Sequence, residues 1–534
     1  MPNPPRMALV AIPFFVFAGV WMLYRRGLGP LISGWTETAR EMTVALLSWL
    51  YLGVGVLSII VVVLAAMLIG TMRVGGAEAP RRVTPAEGVA VGFAAATSVG
   101  LLFWAGGEPL FHMHAPPPGL GLRPISVEAG IMARAAAYLH WSVLAHMTFG
   151  LFMIGFAVST GTLRGRRSVE SVVAGSKLRS RTAWGDLLDG VVFLFAILAV
   201  VGALASAAVS ITAQGLAISG TPLGRGMLTG VLIALLLFSV FLGARPLGSS
   251  LAATARVTVI LLLVFLLFVF ILGPKGFIFG GGFQALWAML RDFPALMFEG
   301  FLGRPDGWAG RWTITHLGGW MLLAPLVGYT LSRAARGYTL ATAIRLFVIT
   351  PMLLSILTIA VLGGLTLSMD GGGRIWTQIP RLGTDSALLL ALNELWAPNA
   401  MRVFLLLLSV LFFVTFAGAM THAIVHIAIP GEDSDRRVIA ERRALLIFWM
   451  LALGIGGWCL LHYGGMGEMA SVSRLGAIPG VFITLGAALA VLRLSLGGPK
   501  RLVPPTPVDP KRPASHDDAA AVVGTVKRGH RRKD

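Results

Sequence analysis

Apolar residues in this chain gather into blocks of roughly 20, broken by short polar or basic connections, from Met7 to Leu494. A helix of that length crosses a hydrocarbon layer about 30 Å thick and keeps every backbone N–H and C=O paired where no water can do so. Val257–Leu272 carries no charge, and neither does Val403–Phe413 or its continuation to Pro430. A membrane barrel would instead show strands of about ten alternating residues, and no such segments recur. The blocks predict an all-α integral membrane protein with spans near 7–24, 44–72, 88–105, 133–159, 187–215, 226–243, 256–273, 312–335, 343–367, 401–429, 443–463 and 475–495.

The connections carry their own pattern. Those at 160–184, 333–345 and 436–443 are basic, whereas the longer ones at 106–132, 274–311 and 369–400 lie on the opposite face. The run from Glu108 to Pro118 holds four prolines and predicts a rigid extended segment instead of a helix. Phe283–Leu302 has apolar residues at helical spacing with Arg291, Asp292 and Glu299 between them, which predicts a helix lying in the interface.

Composition sharpens this picture. Hydrophobic residues make up 56% and charged residues 13%, so most of the 534 residues belong to a membrane domain with no room for a large soluble enzyme. The 66 glycines let helices approach closely, which suits a packed bundle. The single cysteine, Cys459, excludes an intrachain disulfide. Met7–Tyr24 runs into Arg25 and Arg26 without a small-residue cleavage site, so it reads as a first span and not a cleavable signal.

The net charge of +19 would suggest a nucleic-acid partner in a soluble chain, but here it sits in short loops and a tail. Arg164, Arg166, Arg167, Lys177, Arg179 and Arg181 share one loop, which is the pattern of cytoplasmic loops. An even number of spans then puts both termini in the cytoplasm of a bacterial-type inner membrane. The tail at 500–534 has too few apolar residues to pack; it reads as disordered and drawn to anionic membrane lipid, with no nucleic acid as partner.

Ordered motifs point to a family. Gly100-Leu101-Leu102-Phe103-Trp104-Ala105-Gly106-Gly107-Glu108-Pro109, followed by His112 and Pro116-Pro117, resembles the third-span signature of the betaine/choline/carnitine transporters. Trp312-Thr313-Ile314, Trp320, Ala324-Pro325-Leu326-Val327-Gly328, Ser332-Arg333 and Arg336-Gly337-Tyr338-Thr339 resemble that family's eighth-span box. His140-Trp141, Ser239 with Gly243, Phe412-Phe413-Val414-Thr415, Gly464-Gly465 and Pro479 follow in matching order, so the resemblance covers about residues 10 to 495.

The resemblance implies twelve helices, with spans three to seven (88–273) and eight to twelve (312–499) as two inverted five-helix repeats. A two-span segment (1–87) would precede them and an interfacial loop or helix (274–311) would join them. It further implies a small-molecule solute bound near the midplane between the repeats. Members carry quaternary ammonium solutes, coupled to sodium, to protons or to exchange, and many are homotrimers.

A trimethylammonium group has no N–H to donate, so aromatic faces recognise it. Mapped onto the family's cage, this chain keeps Trp141 and Trp320, has Phe149 for a tyrosine, and has His146, Gly319 and Leu323 where tryptophans are usual. Losing two faces worth about 2 kcal/mol each weakens a quaternary ligand by roughly a hundred- to a thousandfold. His146 and His316 lie on spans expected to face each other; they read either as groups that bind a polar solute or a proton, or as buried, hydrogen-bonded packing residues.

The family's sodium site is altered too. Its three-glycine stretch is here Ala96-Thr97-Ser98-Val99-Gly100, and Phe416 follows Thr415 where a second hydroxyl is usual. Thr415 is then at best a remnant of a coupling-ion site, with Thr97 and Ser98 as substitute oxygens. His112 and His114 read as part of a proline-braced structural loop and not as metal ligands. No nucleophile elbow, phosphate loop or HExxH run appears, so neither an enzyme nor a cofactor is expected. The reading is a secondary transporter for a small amine, betaine-like or zwitterionic solute, with a solute sensor that does not turn over as the alternative.

Overall fold

The computed structural model describes residues 27, 29–97, 100–162, 168–174, 183–219, 225–243, 250–299, 307–384, 386–429, 436–459 and 465–498. The expected first span at 7–24, Ser98 and the basic tail lie outside them. The described residues form helices and no strands; the extended pairing among them is an isolated bridge between Arg73 and Thr339. The longer helices are α1 (Gly29–Leu68), α2 (Pro85–Thr97), α3 (Gly100–His114), α4 (Val127–Tyr138), α5 (Ala145–Thr162), α6 (Ala183–Ser219) and α7 (Arg225–Gly243). They continue as α8 (Ser250–Leu272), α9 (Lys275–Arg291), α10 (Thr313–Ala334), α11 (Thr350–Asp370), α12 (Pro398–Ala428), α13 (Arg436–Cys459) and α14 (Gly465–Leu496).

Among the described residues, eight helical stretches are long and apolar enough to cross a membrane: Ala45–Leu68, Val127–Ser159, Leu187–Ser219, Leu251–Leu272, Trp308–Ala334, Leu340–Met369, Pro398–Ala428 and Ala477–Leu496. A ninth is the pair α2 and α3, bent by 60° at their break. Helices α7 and α13 stand where two further spans are expected. The described apolar stretch of α7 is short, Thr229–Ser239, and α13 carries Arg436, Arg437, Glu441, Arg442 and Arg443 in its first turns.

One expectation fails here. The segment from Glu108 is not extended: α3 runs on to His114 with Pro109 inside it. Proline leaves the carbonyl of residue i−4 without its helical donor, here Ala105. That oxygen faces Gly363 of α11 so closely that a Cβ there would lie 2.7 Å from it. The helix crossing encloses the defect, and only the later prolines end the helix, at a short turn Pro118–Leu120. His112 and His114 are therefore helical residues, not loop residues, and they point to different partners. His114 Nε2 lies 2.8 Å from Asp370 Oδ2, while Asp370 Oδ1 accepts from the N–H groups of Ile375 and Trp376.

The expected interfacial helix begins earlier than its sequence pattern suggested, at Lys275, and breaks at Asp292 before a short helix Phe293–Phe298. Its exposed side carries Phe279, Phe283 and Trp287, and its buried side Gly281, Ala285 and Ala288. Between α8, α9 and α11 lies an apolar cavity of about 480 Å³ lined by Tyr138, Leu267, Phe270, Phe283, Leu357 and Ala360 among others.

Helices α5 and α10 pack closely, and Gly328 sets their separation. A Cβ there would sit 2.4 Å from Phe152 Cβ and 2.8 Å from Met153 N, so backbone blocks it. Gly328→Ala should therefore overpack the crossing at a cost of about 1–3 kcal/mol. The check is thermal unfolding of the detergent-solubilised protein, where the variant should melt several degrees lower.

Candidate functional site

A π-helical turn, Leu139–Leu144, joins α4 to α5. Such a turn displaces the backbone ladder and releases carbonyls for other partners. The His140 carbonyl accepts the Trp320 Nε1–H of α10 at 2.8 Å. This bond holds Trp320 against the α4–α5 junction. Trp320 meets Trp141 edge to face at 5.2 Å and Phe149 at 5.9 Å, which brings three of the expected cage residues together. Beyond them, Trp104 stacks on Trp141 at 6.4 Å and Trp312 meets Trp104 at 6.1 Å. Leu323 is buried, while a Cβ on Gly319 would meet nothing within 4 Å, so the missing tryptophan leaves open space beside Trp320.

Behind the aromatic rings is a fully buried carboxylate, Glu108 of α3. Its Oε1 lies 2.6 Å from His140 Nδ1 and 3.2 Å from His112 Nε2. Its Oε2 accepts from Trp141 Nε1–H at 2.6 Å and lies 3.2 Å from His316 Nε2. The proton positions follow from the neighbours. Trp308 Nε1–H donates to His112 Nδ1 at 3.1 Å, so the His112 proton is on Nε2 and points at Glu108. His140 gives its Nδ1–H to Glu108, and its Nε2 lies 3.0 Å from the Thr313 hydroxyl, which donates to a neutral ring or accepts from a protonated one. Three hydrogen bonds and the facing His316 Nε2 thus surround one carboxylate.

His316 differs from the other two histidines. Its Nδ1 is 2.9 Å from the Trp312 carbonyl and its Nε2 faces Glu108, so both nitrogens meet acceptors. Its Nδ1 therefore carries hydrogen, and its Nε2 stands where a protonated ring forms an ion pair with Glu108. The ring stacks on His140 at 4.7 Å, lies parallel to Trp312 at 6.2 Å and meets Trp141 at 5.5 Å.

The remaining expected residues lie elsewhere or are already engaged. His146 is buried, donates Nδ1–H to the Ser142 carbonyl at 2.9 Å and has no partner at Nε2. Among the described residues no ring contact joins it to the aromatic cluster. The Thr97 and Thr415 hydroxyls each donate to the carbonyl one turn back, Phe93 and Leu411, at 2.7 Å. Phe416 is buried.

Sequence reasoning treated Glu108 and His140 only as letters of the family motifs, with Glu108 also opening the proline-rich run. The available signal was an ionisable residue in an apolar run, with His112 at i+4 on the same helix face. Glu108, His112 and His140 bring ligand-type atoms within 4.8 Å of one another. Each of those atoms already has a hydrogen-bond partner, and the 2.6 Å contact of His140 with Glu108 is a charge-assisted hydrogen bond with no space for an ion between them. The arrangement is a saturated carboxylate that lends negative charge to an aromatic surface.

The sequence model described as the betaine/carnitine/choline family transporter matches residues 7–496. Relatives include an uncharacterized transporter of Mycobacterium tuberculosis, 24% identical over 415 residues that cover 76% of this chain and 68% of the relative. A glycine betaine/proline/choline transporter of Vibrio parahaemolyticus is 24% identical over 519 residues, 92% of this chain and 89% of the relative. An osmo-independent choline transporter of Acinetobacter baylyi is 25% identical over 444 residues, 81% and 83% of the two chains.

Proposed function

Because the chain belongs to the betaine/carnitine/choline transporter family, we propose that its solute is a small amine or betaine with a fixed positive charge, received between Trp141, Trp320 and Phe149. The observation that carries this reading is the pair of tryptophans, from two separate elements, meeting at 5.2 Å with an ionised carboxylate hydrogen-bonded to one of them. A ring quadrupole attracts a cation that has no N–H to offer, and low dielectric strengthens the attraction. The names of the relatives, for glycine betaine and for choline, support the same class. The thinned cage, with His146, Gly319 and Leu323 in place of tryptophans, favours weak glycine betaine binding and a smaller amine or polar zwitterion as the preferred solute.

The full arrangement belongs to the same proposal. Twelve helices form two inverted repeats, 88–273 and 312–499, with both termini cytoplasmic in a bacterial inner membrane and three copies assembled as a homotrimer. Coupling is independent of sodium. The Thr97 and Thr415 hydroxyls are turned to their own helices, and Phe416 follows Thr415 where the family carries a second hydroxyl, an oxygen that a hard cation needs. The driving force is a proton gradient or exchange. Labelled choline and glycine betaine should enter proteoliposomes under an imposed proton gradient and show no stimulation by a sodium gradient at fixed pH. Accumulation driven by sodium alone would overturn the coupling, and binding without accumulation would favour a sensor.

A further inference from the structure

We propose that the imidazolium of His316 occupies, in the solute-free site, the place of the solute cation, so that solute binding expels one proton. The inference rests on the reading above that the solute carries a fixed positive charge.

His316 already satisfies the recognition chemistry expected of a solute. Its ring lies 5.5 Å from Trp141, 6.2 Å from Trp320 and 6.2 Å from Trp312, with Nε2 3.2 Å from the Glu108 carboxylate. It is a cation, tethered to α10, set among the aromatic rings that line the site. The titratable groups facing it are Glu108 and His112 from α3 and His140 from the π-helical turn. His112 is held neutral by the Trp308 N–H at its Nδ1 and His140 meets a hydroxyl at its Nε2, so His316 is the ring of the three whose two nitrogens both face obligate acceptors, a carbonyl and a carboxylate. The next titratable pair, His114 with Asp370, lies beyond Phe111 and Trp376.

A second cation entering this cluster would stand about 5–6 Å from the imidazolium, with one carboxylate between two positive charges. Repulsion at that distance costs well over tenfold in affinity even at an effective dielectric constant of about 20. The repulsion disappears when the Nε2–H bond breaks and its proton leaves to water along the partly exposed edge of His316, whose side chain is 13% accessible. The solute cation then takes over Glu108, and the net charge of the site is unchanged. Linkage is reciprocal, so a proton added to His316 expels solute. Solute and proton therefore cross in opposite directions.

Titration calorimetry of choline into the purified full-length protein tests this, in phosphate and in Tris, from pH 5.5 to 8.5. The two buffers differ in ionisation enthalpy, and the difference in measured heat counts protons. The expected result for the wild-type protein is release of up to one proton per choline, with affinity falling about tenfold per pH unit below the protonation of His316. His316→Phe keeps a ring and cannot hold a proton; it should bind without proton release, with no pH dependence, and more tightly than wild type at pH 5.5. The wild-type measurements suffice if this variant does not fold. Binding without proton release, or with proton uptake, would overturn the competition and leave the transport reading standing. No binding of choline or glycine betaine by either protein at any pH would overturn the solute class and the competition together.

Discussion

Glu108→Gln should abolish solute uptake, lowering the initial rate at least a hundredfold in proteoliposomes, although the side chain keeps its shape. The wild-type carboxylate accepts from His112 and His140 at one oxygen and from Trp141 at the other, which also faces His316 Nε2 at 3.2 Å. An amide has one oxygen and one NH₂, so its NH₂ meets either the His112 and His140 donors or the Trp141 N–H. Each buried donor left without an acceptor costs about 1–3 kcal/mol, and more for a charged one. The loss falls on the aromatic surface itself, because Trp141 is oriented by this bond and His316 loses the counter-charge that favours its protonated form. Glu108→Asp retains the charge on a shorter arm and should recover part of the uptake. Size-exclusion profiles matching wild type, with uptake lost, would confirm a site effect. Uptake by Glu108→Gln within threefold of wild type would refute it.

Trp320→Ala should weaken solute binding about thirtyfold, the equivalent of one aromatic face worth about 2 kcal/mol. The ring is held at three edges: its N–H on the His140 carbonyl, Trp141 at 5.2 Å and Phe149 at 5.9 Å. Removing it also empties a packed volume, so the melting temperature should fall. Trp320→Phe keeps a face without the N–H and should lie between the two. The converse change is Gly319→Trp, which fills open space next to Trp320 and adds a face. It should tighten choline binding several-fold to thirtyfold. Calorimetry on the three variants checks the order Gly319→Trp, wild type, Trp320→Phe, Trp320→Ala; a Trp320→Ala affinity equal to wild type would place the solute elsewhere.

How much of this could be read from the chain depends on the interaction concerned. Helical spans announce themselves because a bilayer demands unbroken apolar length, a property of neighbouring residues. Val403–Phe413 and its continuation were legible on that ground alone, and the chain folds there as α12. The meeting of Trp141, Phe149 and Trp320 was legible only through ordered motifs that resemble a family. Span patterning assigns each to a helix but does not say which helices face each other.

The segment from Glu108 shows where local reading fails. Four prolines within eleven residues argue for extended chain. Yet Pro109 sits inside a helix because Gly363, more than 250 residues later, presents no side chain to the carbonyl that Pro109 leaves unpaired. Once α3 is helical, Glu108 and His112 share a face, and the carboxylate reaches donors from α4–α5 and α10. His146 and His316, alike in sequence, part company for the same reason: only His316 lies opposite Glu108.

The sequence by itself determined the solvent, the helical architecture and the kind of ligand an aromatic pair can hold, since hydrophobic length and side-chain chemistry need no partner to be expressed. Tertiary structure alone decided that Glu108 gathers His112, His140, Trp141 and His316 around one carboxylate and that the Thr97 and Thr415 hydroxyls are turned to their own helices. Each of those outcomes depends on which acceptor lies within about 3 Å of a given donor, and that distance exists only after remote helices have packed.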